Sequence, residues 1–315
     1  MITLTQLEYI VAVQKHGNFG QAAKACFVTQ PTLSMQIQKL EDDLGVQIFD
    51  RSHQPIMPTP IGQKILEQSA VVLAQSERIQ SIIHEAKDSL EGELRLGVIP
   101  TLAPYLLPLF IDRFCKAYPG LHVQVEESKT DDIITLLKGN QLDIGLVATP
   151  LDESFIVEHP IFVEPFYIYA QKGSALGELE EVSDADLKNE RALLLAEGHC
   201  LRAQMTRVCN YRESKAKKAK QPFEFESGSI ETLCHLVEKG HGYTVIPHLA
   251  RTWNATRAGT VIPFSDPRPG REVSLVVHQS FAREGLLRAL RGSIAGSLPS
   301  ELRKPDTALK AIKLR

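Results

Sequence analysis

Glu93-Leu94-Arg95-Leu96-Gly97-Val98-Ile99-Pro100-Thr101 decides the fold of this chain. Leu94, Leu96 and Val98 recur at every second position, the period of a strand with one face buried. Pro100 and Thr101 end the run, and a helical pattern follows from about Ala103 to Tyr118. Leu121 to Glu127 reads as a second strand, Thr130 as the cap of a helix from Asp131 to Gly139, and Leu142 to Val147 as a third strand. That order implies a mostly parallel sheet with helices on both faces. Further strand and helix segments recur at Phe166–Gln171, Ala192–Leu195, Ile230–Gly240, Tyr243–Ile246 and Val273–His278. The expected architecture is an α/β region of two Rossmann-like subdomains with a cleft between them. Subdomain I covers about 93–165 and 269–300, and subdomain II about 166–268. Thr101 and Thr130 fall where the carboxyl end of a strand meets a helix start, the edge at which open α/β sheets bind ligands.

Upstream, the first 60 residues read as three short helices and a wing. Leu7, Ile10, Val11 and Val13 form an apolar stripe, Asn18 caps a second helix, and Thr29-Gln30-Pro31 opens a third. On that third helix Leu33, Ile37, Leu40 and Leu44 share one face, and Gly45 ends it. Pro31, Thr32, Met35, Gln38 and Lys39 point the other way, with Ser34 and Gln36 on the flanks. Asp50 to Thr59, with Arg51, His53 and Pro55, has the length of a small wing. A polar, uncharged face at a helix start suits major-groove edges, because Gln pairs with adenine in two places and Ser or Thr donates or accepts. Four basic against five acidic side chains in residues 1–60 weigh against DNA binding, and an ordinary small helical bundle is the alternative. Thr59-Pro60 then opens a helix to about Asp88, about 42 Å long. Its length suggests a dimerising connector rather than a helix packed on its own domain.

The 315 residues suffice for two or three compact units, and 43% hydrophobic with 23% charged is ordinary for a globular protein. A net charge of −3 predicts no bulk attraction to nucleic acid or anionic membrane. The first residues lack the basic and apolar regions of a signal peptide, and no run of about 18 apolar residues exists. These features favour the cytoplasm and exclude a membrane span. Five cysteines are too few and too scattered for a disulfide framework, and Cys26, Cys115 and Cys234 read as small core residues. Asn210 to Lys220, with four lysines, reads as a solvated insertion, and 301–315 as a flexible tail.

Gly198-His199-Cys200-Leu201-Arg202 with Cys209 is different: it sets two thiols nine positions apart among polar groups. Cys200 precedes a helical stretch, Leu201 to Val208, whose positive end and Arg202 would both favour the thiolate. Two buried, unreactive cysteines are the alternative. His199 beside Cys200 offers too few ligands for a metal, and no cofactor is expected.

Three segments resemble a known family. Gln21-Ala22-Ala23 and Val28-Thr29-Gln30-Pro31-Thr32-Leu33-Ser34, with Ile37, Leu40, Glu41, Leu44, Gly45 and Phe49, resemble the winged helix-turn-helix of LysR-type transcriptional regulators. Leu94-Arg95-Leu96-Gly97, Tyr105-Leu106-Leu107-Pro108 and Tyr118-Pro119 resemble the start of their effector domain. The Cys200 motif with Cys209 resembles the peroxide-sensing OxyR branch. The resemblance implies a DNA-binding head at 1–60, a linker helix and hinge at 61–92, and a periplasmic-binding-protein-like effector domain at 93–300. It implies a non-enzymatic regulator in which Cys200 is peroxidatic and Cys209 resolving, with Thr101, Thr130, His199 and Arg271 around hydrogen peroxide. It implies recognition of promoter DNA by Gln30, Pro31, Thr32 and Ser34, beside Met35, Lys39, Arg51 and His53. A homotetramer (a dimer of dimers), RNA polymerase, and a glutaredoxin or thioredoxin reductant are the implied partners. The lysine-bearing stretch after Cys209 and Met35 on the recognition face depart from the usual pattern. Competing readings are a LysR-type regulator of a small organic effector held in the cleft, a thiol peroxidase, a solute-binding protein and a metal sensor.

The spacing of the two thiols carries its own consequence. Across a helix at 201–208 their Cα atoms stand about 13 Å apart along the axis. A disulfide needs about 7 Å or less. Closing the ten-residue loop would contribute about 2.7 kcal/mol, the size of a typical allosteric coupling. Oxidation is therefore expected to unwind this helix, remodel residues 200–225 and rotate subunits. A crystal structure of the disulfide form with an unchanged 200–225 segment would contradict this.

Overall fold

The computed structural model describes residues 1–52, 54–86, 90–188, 190–208, 227–254, 258–303 and 309–312. His53, Cys209 and the lysine-bearing segment 210–220 lie outside the described residues. The chain forms two units, Met1–Ser89 and Leu90–Arg315.

In the first unit α1 (Leu4–His16) starts at Thr3, whose capping box with Gln6 satisfies two backbone donors. Helix α2 (Phe19–Ala25) starts at Asn18, whose side chain accepts from the Gly20 and Gln21 amides, as its sequence predicts. Helix α3 (Gln30–Leu44) is capped by Thr29 and ends at Gly45 in the left-handed conformation. Strands β1 (Phe49–Asp50) and β2 (Met57–Pro58) form the antiparallel wing, and α4 (Pro60–Ala86) is the long helix. Ile10, Val13, Ala22, Leu33, Ile37, Leu40, Ile48 and Leu66 make a water-free core. Gly62 is obligatory there, since a Cβ would stand 1.9 Å from the Ile48 carbonyl oxygen.

A buried carboxylate ties the wing to α3. Glu41 Oε1 accepts from the Ile48 and Phe49 amides at 2.8 and 3.2 Å, and Oε2 accepts from Arg51 Nη2 at 2.8 Å. The Arg51 guanidinium lies 5.2 Å from the centre of the Phe19 ring.

In the second unit β3 (Gly92–Val98), α5 (Ala103–Ala117), β4 (Leu121–Glu127), α6 (Thr130–Lys138) and β5 (Ile144–Thr149) give the parallel order β4-β3-β5. Next comes β6 (Ile156–Gln171), a strand of 16 residues, followed by α7 (Asp184–Leu187) and α8 (Cys200–Val208). Helix α9 (Ile230–Glu238), β7 (Thr244–Pro247), α10 (His248–Asn254), β8 (Gly259–Pro263), β9 (Arg268–His278) and α11 (Glu284–Ser297) complete the main body. Strand β9 runs antiparallel between β5 and β6. The first part of β6 pairs with β9, while Phe166 to Gln171 pair with β7 and β8. One strand thus passes from one subdomain sheet into the other. The two α/β subdomains agree with the expected fold class, and both share one apolar core that includes Leu96, Phe110, Ile168, Leu201, Ile246 and Leu275.

Several expectations need correction. The tail expected to be flexible carries a 3-10 turn at Ser300–Leu302 and a strand, β10 (Leu309–Ala311), which pairs parallel with β9. Ile312 then donates its amide to the Gly270 carbonyl at 2.8 Å and accepts from Gln204 Nε2 of α8 at 3.2 Å. The strand expected at Ala192–Leu195 is reduced to isolated bridges to Tyr243 and Ser227. Cys115 is exposed, because it lies one step of about 100° beyond buried Phe114 on α5. Cys234 is buried as expected and Cys26 half-buried. Among the described residues, no helix is long and apolar enough to cross a membrane.

Glu41→Ala leaves two buried amides unsatisfied, whereas the half-exposed Arg51 contributes little to the loss. The expected cost is about 2–4 kcal/mol in the N-terminal unit. Hydrogen exchange should accelerate at the Ile48 and Phe49 amides while the amides of β3 and β5 keep their protection.

Candidate functional site

Two parallel neighbours, β3 and β4, end side by side; the loop after β3 carries Thr101, and the helix after β4 begins at Thr130. With Ile99, Pro100, Lys129, Gly198, His199 and Cys200 they line a narrow crevice. Its walls are close-packed and leave no room for a drug-sized ligand.

Cys200 is the first residue of α8, and Gly198 just before it takes a φ of +85° that a side chain would strain. Burial is the largest influence on the Cys200 thiol and pushes its pKa up. Arg271, the Thr130 hydroxyl and the backbone amides of Leu201 and Cys200 act in the opposite direction. The residue keeps partial exposure while its thiol sits in close-packed surroundings. The sequence assigns the neighbouring cation to Arg202, but the structure corrects this. Arg202 turns away and donates through Nη1 to the Leu195 carbonyl, and Arg271 supplies the charge.

Thr130 also differs from its expected role. The N-cap of α6 is Lys129, and Thr130 is the first helical residue, so its hydroxyl is not spent on the helix. Its Oγ1 is buried without a hydrogen-bond partner of good geometry, although it is near enough to the Cys200 sulfur to favour the thiolate. Thr101 is buried as well, and its Oγ1 accepts from Arg271 Nη1 at 2.7 Å. Arg271 Nη2 donates to the Thr101 carbonyl at 3.0 Å. His199 is buried, and desolvation, then the charge of Lys129, lower its pKa and keep the ring neutral at pH 7.

The geometry therefore gathers Thr101, Thr130, His199 and Cys200 along one narrow crevice, with Arg271 bonded to Thr101 from the buried side. Two contributors escape a reading of the sequence. Lys129 lines the crevice and donates to the Glu197 carbonyl, and Glu164, fully buried, pairs with Arg271. Lys129 adjoins a residue already singled out, whereas nothing around Glu164 marks it. Across the top of the region Tyr105 of α5 donates to Glu231 of α9, which joins the two subdomains.

On α3, Gln30, Pro31, Thr32, Met35, Gln38 and Lys39 are exposed, and Ser34 is half-buried. Arg51 stands apart from them, engaged with Glu41 and Phe19. An apolar groove between α1, α3 and α4 is lined by Leu4, Leu7, Leu40, Leu44, Ile65 and Val72.

The bacterial regulatory helix-turn-helix protein, lysR family, matches residues 4–63, and the LysR substrate binding domain matches 87–298. A hydrogen peroxide-inducible genes activator of Dickeya chrysanthemi is 32% identical over 96% of this chain and 98% of its own length. The chain belongs to the LysR family, in its OxyR branch. The DNA-binding transcriptional dual regulator OxyR of Escherichia coli K12 is also 32% identical, over 96% of this chain and 99% of its own. Among solved structures, a full-length OxyR with a cysteine-to-aspartate change from Pseudomonas aeruginosa superposes with a TM-score of 0.82. It is 34% identical and covers 96% of this chain and 97% of its own. A cysteine-to-serine mutant of Corynebacterium glutamicum OxyR with H2O2 bound is 28% identical, with a TM-score of 0.62 over 94% and 92%. This OxyR-branch chain is accordingly a helix-turn-helix regulator that acts on promoter DNA, in a family of peroxide-sensing activators, and not an enzyme.

Thr130→Val keeps the side-chain shape and removes an unsatisfied buried hydroxyl. Stability is expected to hold or to rise by up to about 1 kcal/mol in urea denaturation. The Cys200 thiol pKa should rise, because a group that lowers it is gone. The pH dependence of haloacetamide alkylation would read that shift.

Proposed function

We propose that this protein senses hydrogen peroxide through Cys200 and converts the oxidation into altered DNA binding and activation of oxidative-stress genes. The observation that carries the reading is the pair of buried threonine hydroxyls, one unpartnered and one held by Arg271, that line a narrow crevice together with the thiol at the start of α8. Such a crevice offers no room for an organic effector of ordinary size.

The Cys200 thiolate attacks one oxygen of H2O2. A sulfur–oxygen bond forms and the oxygen–oxygen bond breaks. Sulfur gives up two electrons, the attacked oxygen keeps its hydrogen as the sulfenic acid, and the other oxygen leaves as hydroxide. Thr101, Thr130 and His199 orient the peroxide, and Arg271 steadies the developing negative charge. The Cys209 thiol then displaces water from the sulfenic acid and closes the disulfide. That bond is incompatible with an intact α8, because a helix from Cys200 to Val208 holds the ends of the segment apart. A thioredoxin or glutaredoxin system in the cytoplasm restores the dithiol.

In the head, Gln30, Pro31, Thr32, Ser34, Met35 and Lys39 read the operator from α3. Arg51 supports the wing and His53 completes the DNA-binding set. The apolar groove between α1, α3 and α4 receives a second copy of the long helix, and two such dimers form the tetramer that engages RNA polymerase. DNase footprints of the reduced protein, the peroxide-treated protein and a peroxide-treated Cys200→Ser variant test the whole reading. The oxidised footprint should be displaced, and the Cys200→Ser footprint should match the reduced one. Three identical footprints would refute it.

A further inference from the structure

We propose that Glu164 is a positioning residue for peroxide reduction at Cys200: it sets the Arg271 guanidinium so that the Thr101 hydroxyl hydrogen points at the departing oxygen. This rests on the peroxide reading above and extends it to a side chain that does not line the crevice. Glu164 and Arg271 are directly opposed residues of antiparallel β6 and β9. Both are fully buried. Glu164 Oε2 accepts from Arg271 Nε at 2.9 Å and from Nη2 at 2.8 Å. Its other oxygen, Oε1, accepts the Leu249 amide in α10 at 2.7 Å. The carboxylate is therefore fixed from two sides by backbone-anchored partners.

The consequence for Arg271 is geometric. A guanidinium is planar and can only donate. With its Nε–Nη2 edge on Glu164, Nη1 is left for Thr101 Oγ1 and Nη2 also reaches the Thr101 carbonyl. A threonine hydroxyl that accepts from an arginine keeps its own hydrogen for another acceptor. The crevice side is where that hydrogen is used. In the reaction, the thiolate forms its bond to one peroxide oxygen while the other departs as hydroxide, and the Thr101 hydrogen bond stabilises that leaving charge. Glu164 takes no proton and touches no reactant. Its negative charge opposes Arg271, so on charge alone its removal favours the thiolate. Orientation and charge thus pull in different directions, which separates a positioning role from general support of the fold.

The test uses the full-length protein with Glu164→Gln, which removes the charge and keeps the reach, and Glu164→Asp, which keeps the charge and shortens the reach. Cys200 oxidation by H2O2 is followed by stopped flow, and the thiol pKa by the pH dependence of alkylation. Both variants should oxidise about tenfold slower or more. The Glu164→Gln thiol pKa should stay level or fall, and its alkylation at matched pH should not slow. A folded variant that oxidises within about twofold of wild type overturns the proposal, as does alkylation slowed in proportion to oxidation. If neither variant folds, the pair is only structural and the proposal falls. If wild-type Cys200 reacts no faster than free cysteine, the peroxide reading itself fails, a result distinct from failure of the Glu164 assignment.

Discussion

The effector unit is organised around an ion pair that has no access to water. Glu164 and Arg271 sit opposite each other where β6 and β9 cross between the subdomains, and neither side chain is exposed. Burying two charges is costly, and the cost is offset only when every lone pair and N–H finds a partner. Here the Leu249 amide and both oxygens of Thr101 add to the partners of the pair. The requirement fixes the register of two long strands, the start of α10 and the loop after β3. The crevice beside Cys200 is a by-product of that arrangement, since Thr101 belongs to both.

The thiol itself is a compromise. Enclosure raises its pKa, while a cation, a hydroxyl and two helix amides act to restore the thiolate. The head solves a different problem with the same device. Glu41 satisfies the Ile48 and Phe49 amides and holds the wing against α3, which leaves the exposed face of that helix free of structural duty.

Much of this was legible in the chain before any coordinates. Alternation in β3, the cap at Asn18 and the glycine ending α3 are local signals, and each element forms where its signal stands. Thr101, Thr130 and Cys200 were marked by their position at strand ends and a helix start. What escaped depends on separation. Glu164 gains its meaning from a partner 107 residues away, through a strand register that no local pattern announces. Arg202 misled because nearness in sequence on a helix is not nearness in space. Cys115 misled because an apolar run does not say which residue faces out. Strand β10 has no alternating pattern of its own and depends on the β9 edge to exist.

The bond from Arg271 to Thr101 joins residues 170 positions apart, and α8 is held in turn by Ile312. The site is therefore late to assemble: contacts of such range close only after most of the intervening chain has collapsed. Until β9 has docked, Cys200 is a flexible thiol in water with the modest reactivity of any free cysteine. Under the proposed role, fast oxidation of Cys200 is then a property of the finished molecule alone. A half-folded or locally opened copy would lack the Arg271–Thr101 bond beside Cys200, so under the proposed role it would not respond.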